Sequence, residues 1–274
     1  MTNVVPSAGL LPVPAYRGYA FDLDGTIYLG DRLISGADAL VDRLRRRGAR
    51  VVFVTNKPLD TAADYAAKLS SLGIVAEEPD IVTALDSVGR YLDREHPGAA
   101  VLPLAEPLVH DWLERRGHKV TDDPRAANVV LVSFDRTFDY DKLRRGFDAI
   151  RHGAVLVGTN PDPYCPTPEG GLPDCGALLA ALETATGVAA AAVLGKPSRD
   201  MAECFLDRLG VHAAEAVMVG DRLLTDIAMA REAGMRSALV LSGATTKEAL
   251  RDSDIVPDHV LLDVTGLSGP TAAG

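Results

Sequence analysis

The stretch YAFDLDGT, Tyr19 to Thr26, decides the fold. A short apolar run delivers two carboxylates, Asp22 and Asp24, into an Asp-Gly turn. Side chains at i and i+2 of a strand point the same way, so extended backbone as far as Asp24 would aim both carboxylates at one site. Open α/β sheets hold ligands beyond the carboxyl ends of their strands, which is where this pair falls. Taken alone, the same letters also describe a strand end followed by an ordinary turn.

Outward from this stretch, apolar runs alternate with segments of helical period: GADALVDRLRRRG, then ARVVFVTN, then TAADYAAKLSSLG. Val51 to Val54 are apolar at consecutive positions, as in a parallel strand covered on both faces, and Gly48 and Gly73 sit where helices should stop. The same grammar returns late, with AVMVGD, LTDIAMAREAG closed by Gly234, and RSALVLSG. The expected fold is a doubly wound parallel α/β sheet. Residues 83–186 carry their own alternation and are read as an inserted α/β domain, which leaves 1–82 and 187–274 as the discontinuous first domain. Within them, 1–16 and 266–274 are expected to be flexible tails. The Pro- and Gly-dense NPDPYCPTPEGGLPDCG, from Asn160, is read as a long irregular loop.

Of the 274 residues 47% are hydrophobic and 24% charged, a globular composition with enough apolar surface for a real core. The formal charge of −10 repels phosphate backbones and anionic lipid, so no nucleic-acid or membrane partner is expected. Three cysteines without a CxxC pair fit a reducing cytoplasm, and no stretch approaches the roughly 20 apolar residues of a membrane span. The run Arg43, Arg45, Arg46 and Arg47 closes a helix and is read as a solvated face. Trp112 and Cys175 are read as packing residues.

Three further strand ends carry polar groups. VVFV runs into Thr55-Asn56-Lys57-Pro58, AAVLG into Lys196-Pro197, and AVMVG into Asp221 to Asp226. Alone, the first is a strand meeting a helix cap, Lys196 is a point charge, and Thr225 or Asp226 is the cap of the last. Together they gather Asp22, Asp24, Asp221 and Asp226, a charge density that is costly without a cation. Oxygen-only ligands suit a hard divalent ion, Mg²⁺ above all, and with Lys196 such an ion would let a phosphate approach an aspartate.

DLDGT, VTN, GKP and GDRLLTD stand in the order of the four motifs of the haloacid dehalogenase (HAD) superfamily. With GTNPD, CGALLAALE and a large insertion between the second and third motifs, the chain resembles the NagD-like, para-nitrophenylphosphatase and phosphoglycolate phosphatase branch from about Tyr19 to Asp263. The resemblance implies a HAD core with an α/β cap. It makes Asp22 the nucleophile of an aspartyl-phosphate intermediate and Asp24 the general acid and base. Thr55, with Asn56 beside it, would bind phosphate, and the Gly25 and Thr26 amides would form part of its cradle. Lys196 would balance charge. Mg²⁺ would be held by Asp22, the Asp24 carbonyl and Asp221, with Asp226 orienting a ligand water or the lysine. Asn160, Asp162 and the 163–176 loop would face the leaving group or hinge the cap, although Asn160 and Asp162 also read as Asx-turns around Pro161. VLPLAEP, where relatives usually carry a glycine-containing turn, departs from the pattern.

The expected substrate is a small phosphate monoester, sugar phosphates ahead of phosphoglycolate, pyridoxal phosphate or nucleoside monophosphates, and a homodimer is implied. Dehalogenation is disfavoured because halide needs no general acid, and a receiver-like phosphoacceptor because of the extra domain. A catalytically silent module would be expected to lack one of the charged residues, all of which are present.

Overall fold

The computed structural model describes residues 13–167 and 170–267. The chain packs into two compact units. The first runs through Thr55, resumes over Ala62–Val82 and returns from Ala202; the second comprises Asn56–Thr61 and Thr83–Met201.

In the first unit the consecutive apolar runs are central strands of a six-stranded sheet, in the order His259–Leu261, Arg236–Val240, Ala216–Gly220, Gly18–Asp22, Arg50–Thr55, Ile81–Thr83. Tyr19 pairs in parallel with Val217 on one side and Val51 on the other, so all three long strands point their carboxyl ends the same way. Helices Ala37–Arg46 and Ala62–Ser71 bury Leu40, Leu44 and Leu69 against Phe21 and Phe53. Both helices stop where glycine takes a left-handed backbone, Gly48 at φ 82° and Gly73 at φ 93°.

The second unit has a five-stranded parallel sheet ordered Ala192–Val193, Val155–Gly158, Val129–Val132, Ala100–Leu104, Lys119–Val120. Cores on both its faces are built from Val130, Leu156 and Leu182 on one side and Leu131, Val157 and Leu113 on the other. It opens with a helix, Ala84–Glu95, whose first turn is closed by a reciprocal Thr83/Asp86 box. The fold is therefore the expected α/β class, a doubly wound parallel sheet with a second α/β unit inserted in its chain.

Four expectations change in detail. Residues 187–201 pack with the second unit, because Ala192–Val193 adds an edge strand to its sheet and Leu194 enters its core. The expected tails lie largely outside the described residues, but Val13 and Leu267 are buried and Tyr16 Oη bonds His259 Nε2 at 2.7 Å. The loop after Asn160 contains a hairpin, Tyr164–Thr167 with Gly170–Pro173 antiparallel. The expected helix after Asp221 begins as a π-helical turn over Leu223–Ile227, with the α-helix confined to Ala228–Glu232. Among the described residues no helix is long and apolar enough to cross a membrane.

Candidate active site

Two neighbouring strands of the first unit end in Asp22 and in Gly220-Asp221, and the π-helical turn that follows brings round Asp226. One carboxylate oxygen from each of Asp22, Asp221 and Asp226 lies within 4.8 Å of the others, and all three residues are buried. A π turn widens the helix by one residue and is frequent at functional sites. Here it places Asp226 inside the turn, where its Oδ2 accepts the Arg222 N–H at 3.1 Å, instead of at a helix cap. The same holds for Thr225, the other residue read as a cap.

Asp221 is held from a loop that the sequence reading did not single out. Its Oδ2 accepts the Ala244 N–H at 2.6 Å and its backbone carbonyl accepts the Thr245 hydroxyl at 2.5 Å, while Ser242 Oγ donates to the Gly25 carbonyl at 2.7 Å. The signal that could have found this loop is its position beyond the carboxyl end of Arg236–Val240, the same sheet edge that singled out Asp22. Backbone packs so closely that a Cβ on Gly25 or Gly243 would strike the Asp221 carboxylate, and one on Gly220 would strike Asp226.

Three buried like charges so near one another are unfavourable by Coulomb repulsion and by desolvation. An oxygen-only set of this kind fits a hard divalent cation such as Mg²⁺. Thr26 Oγ1 and Thr225 Oγ1, both buried, have no hydrogen-bond partner among the described residues, and a ligand in their reach would relieve that cost. Thr55 ends the strand beside Asp22 and is 5% exposed. Asp24 lies past the regular strand, is half-buried, and its carboxylate is not one of the trio.

The backbone of the Asp-Gly turn departs from the expected phosphate cradle. The Gly25 N–H donates to the Tyr28 carbonyl at 2.7 Å and the Thr26 N–H to the Leu23 carbonyl at 3.3 Å, so both close the turn.

The second unit holds the remaining expected residues, and they hold one another. Asn56 Oδ1 accepts the Lys196 N–H at 2.7 Å, and Asn56 Nδ2 donates to the Lys196 carbonyl and to Asp162 Oδ2, each at 3.1 Å. The Asn56 side chain is thus a clamp on the Lys196 backbone. Gly195 permits the clamp, since a Cβ there would lie 2.7 Å from Asn56 Oδ1. Lys196 itself is 3% exposed. Asn160 Oδ1 accepts the Asp162 N–H at 2.9 Å, the Asx-turn around Pro161, and its Nδ2 reaches Asp174 Oδ1 at 3.4 Å. Of the two readings of Asn160, the structure favours the turn.

Asp174, within the 163–176 stretch, caps helix Cys175–Thr186 by accepting the Cys175 N–H at 2.6 Å. Burial raises its pKa, against the lowering effect of that amide. Cys175 is fully buried, donates to the Val132 carbonyl at 3.2 Å, and burial pushes its thiol up to about 11, which makes it a packing residue.

With this geometry in view, the chain belongs to the haloacid dehalogenase-like hydrolase family. The family model of that name matches residues 19–119, and a HAD-hydrolase-like model matches 193–267. It is a HAD-type phosphomonoesterase. The chain is 34% identical to the sugar-phosphatase AraL of Bacillus subtilis, over 92% of this chain and 93% of that one. It is 35% identical to the 5′-nucleotidase YutF of the same organism, over 91% and 96%. Among solved structures, the 4-nitrophenylphosphatase of Thermotoga maritima superposes with a TM-score of 0.87 at 32% identity, covering 92% of this chain and 96% of that one. A glycerol phosphate phosphatase of Mycobacterium tuberculosis, in complex with magnesium, superposes at 0.85 and 32% identity, covering 92% and 76%.

Proposed function

We propose that this enzyme is a Mg²⁺-dependent phosphatase that hydrolyses a small phosphate monoester, a sugar phosphate before others, through an aspartyl-phosphate on Asp22. The observation that carries the proposal is the buried trio of Asp22, Asp221 and Asp226 at adjoining strand ends, with Thr55 on the neighbouring strand.

Asp22 attacks phosphorus with one carboxylate oxygen, the bond to the ester oxygen breaks, and Asp24 gives that oxygen its proton so that an alcohol leaves. Asp24, now a carboxylate, takes a proton from water as the water oxygen attacks phosphorus. The bond to Asp22 breaks, inorganic phosphate leaves, and both aspartates regain their starting states. The half-buried position of Asp24 suits a group that must exchange protons, and the burial of Asp22 keeps the nucleophile poorly solvated. Thr55 hydrogen-bonds the phosphoryl group, and Lys196, fixed through its backbone by Asn56, balances anionic charge. Asp22, Asp221 and the Asp24 carbonyl would hold Mg²⁺, with Asp226 beside them. The ion would neutralise charge developing on the phosphoryl oxygens.

Sugar phosphates are favoured because curated relatives at 31–34% identity include a sugar-phosphatase and acid sugar phosphatases. Phosphoglycolate, pyridoxal phosphate and nucleoside monophosphates are the other candidates, the last supported by the 5′-nucleotidase. A cytoplasmic setting accords with the three cysteines, none of which forms a disulfide, and a homodimer with the family resemblance.

The test is phosphate release from sugar phosphates, phosphoglycolate, pyridoxal phosphate, nucleotides and an aryl phosphate, with Mg²⁺ and with EDTA. Release that needs the metal and is fastest on one sugar phosphate is expected. Turnover that persists in EDTA overturns the metal dependence, and preference for another class overturns the substrate.

A further inference from the structure

At the other end of the strand that finishes in Thr55, the first unit contains a cleft of about 450 Å³ lined by Arg45, Arg50, Arg208, Asp80, Leu209 and Gly48, among others. Arg50 is the first residue of that strand, so the cleft sits about 16 Å of extended chain from Thr55. Leu209 packs against the space over Gly18, the first residue of the Asp22 strand, which places the cleft at the amino edge of the sheet.

Two of the arginines are fixed before any ligand arrives. Arg45 donates to the Val75 carbonyl and to Asp80 Oδ2, the latter at 3.1 Å. Arg208 Nη1 donates to the Pro79 and Ile81 carbonyls, both at 3.0 Å. The third, Arg50, is exposed, and its guanidinium has no hydrogen-bond or ion-pair partner among the described residues. Asp80 offsets one charge. The carboxyl ends of helices Ala37–Arg46 and Arg199–Leu209, where Arg45 and Arg208 stand, offset roughly half a charge each. Three guanidinium groups line the cleft beside the single carboxylate of Asp80, in a chain whose net charge is −10. A Cβ built on Gly48 meets nothing within 4 Å, so this wall of the cleft is open space.

We propose that this cleft is a second anion site, which binds the phosphate group of a small molecule separately from the chemistry at Asp22. Guanidinium forks match phosphate oxygens in pairs, and donors already held by backbone carbonyls lose little freedom on binding. The volume falls in the range of small-molecule sites and exceeds the needs of a bare phosphate ion, which leaves room for an organic remainder. The arginine run that reads from sequence as a solvated face thus contributes Arg45 to a site.

The experiment is calorimetric titration of the full chain with inorganic phosphate and, separately, with a non-hydrolysable alkylphosphonate, in EDTA and at physiological ionic strength. Each probe is repeated on Arg50→Glu and Arg50→Gln. Saturable binding that weakens by roughly tenfold or more in Arg50→Glu, the loss of one charge-assisted hydrogen bond, is expected. Turnover of an aryl phosphate should stay at the wild-type level in both variants. Arg50→Gln removes the charge without reversing it and guards against misfolding. Tighter binding of the phosphonate identifies an organic phosphate as the occupant, and equal binding identifies the free ion; both uphold the site. The proposal is overturned if neither probe saturates, if the Arg50 variants bind like wild type, or if sodium acetate is bound as tightly as phosphate.

Discussion

The two units share an architecture and differ in how they treat charge at the carboxyl ends of their strands. In the first, Asp22, Asp221 and Asp226 crowd together, buried and of one sign. In the second, several polar groups at the corresponding edge are met by partners from their own unit. Ser133 takes a hydrogen bond from Thr159 at 3.1 Å, Glu106 binds Arg136 at 2.7 Å, and the fully buried Asp135 carboxylate is paired with Lys142. Lys142 also bonds Thr137 Oγ1 at 2.7 Å and the Ala105 carbonyl at 3.3 Å. A parallel sheet therefore does not by itself make a reactive edge. What marks the first unit is three buried carboxylates of one sign drawn together, whereas the second sets Glu106 and Asp135 against cations.

The comparison breaks most visibly at the nucleophile. Asp22→Asn keeps the shape and removes a charge, so turnover of an aryl phosphate should fall on the order of 10⁴-fold or more while circular dichroism stays native. Retained turnover would assign the chemistry elsewhere. In the second unit the same exchange should act on stability. Asp135→Asn strips Lys142 of its counter-charge, and urea denaturation should show a loss of about 2–3 kcal/mol, below the full-burial figure because Lys142 keeps some contact with water. Its kcat under native conditions should match wild type; a collapse of kcat without loss of stability would contradict the division drawn here.

The smallest effect is expected at Asp174. Its pKa lies above the ordinary carboxylate value because it is buried, so the folded chain binds that proton more tightly than the unfolded one. The resulting stability is present below the unfolded carboxylate pKa and is lost as pH rises through the higher folded value, with a slope of at most about 1.4 kcal/mol per pH unit. Asp174→Asn should flatten that part of the stability profile. A slope unchanged from wild type would assign the titration to another group.

The sheets were legible because buried parallel strands write themselves as consecutive apolar letters, as in Val51 to Val54 or Val129 to Val132. The Tyr164–Pro173 hairpin was not. Its strands mix Pro and Gly with no alternation, and the pairing of Cys165 with Leu172 is made by backbone, which leaves no trace in side-chain pattern. The carboxylate trio was legible from strand ends, but the roles of Asn56 and Asn160 were not. Asn56 meets Lys196 across 140 residues of chain and Asp162 across 106, so local spacing carries no record of the clamp. The commitment of the Gly25 and Thr26 N–H groups to carbonyls of their own short turn is equally unwritten, since letters do not say which way an amide points.

The crowding of Gly25, Gly220 and Gly243 against two carboxylates has a consequence for anyone who would transplant this site. A designer who copies Asp22, Asp221 and Asp226 onto another parallel sheet copies only the visible half of the blueprint. The other half is three places where nothing projects from the main chain, and in a host with alanine there the aspartates would be pushed out of register by a single methyl group. Surveys that compare enzymes by their functional groups alone are blind to that requirement.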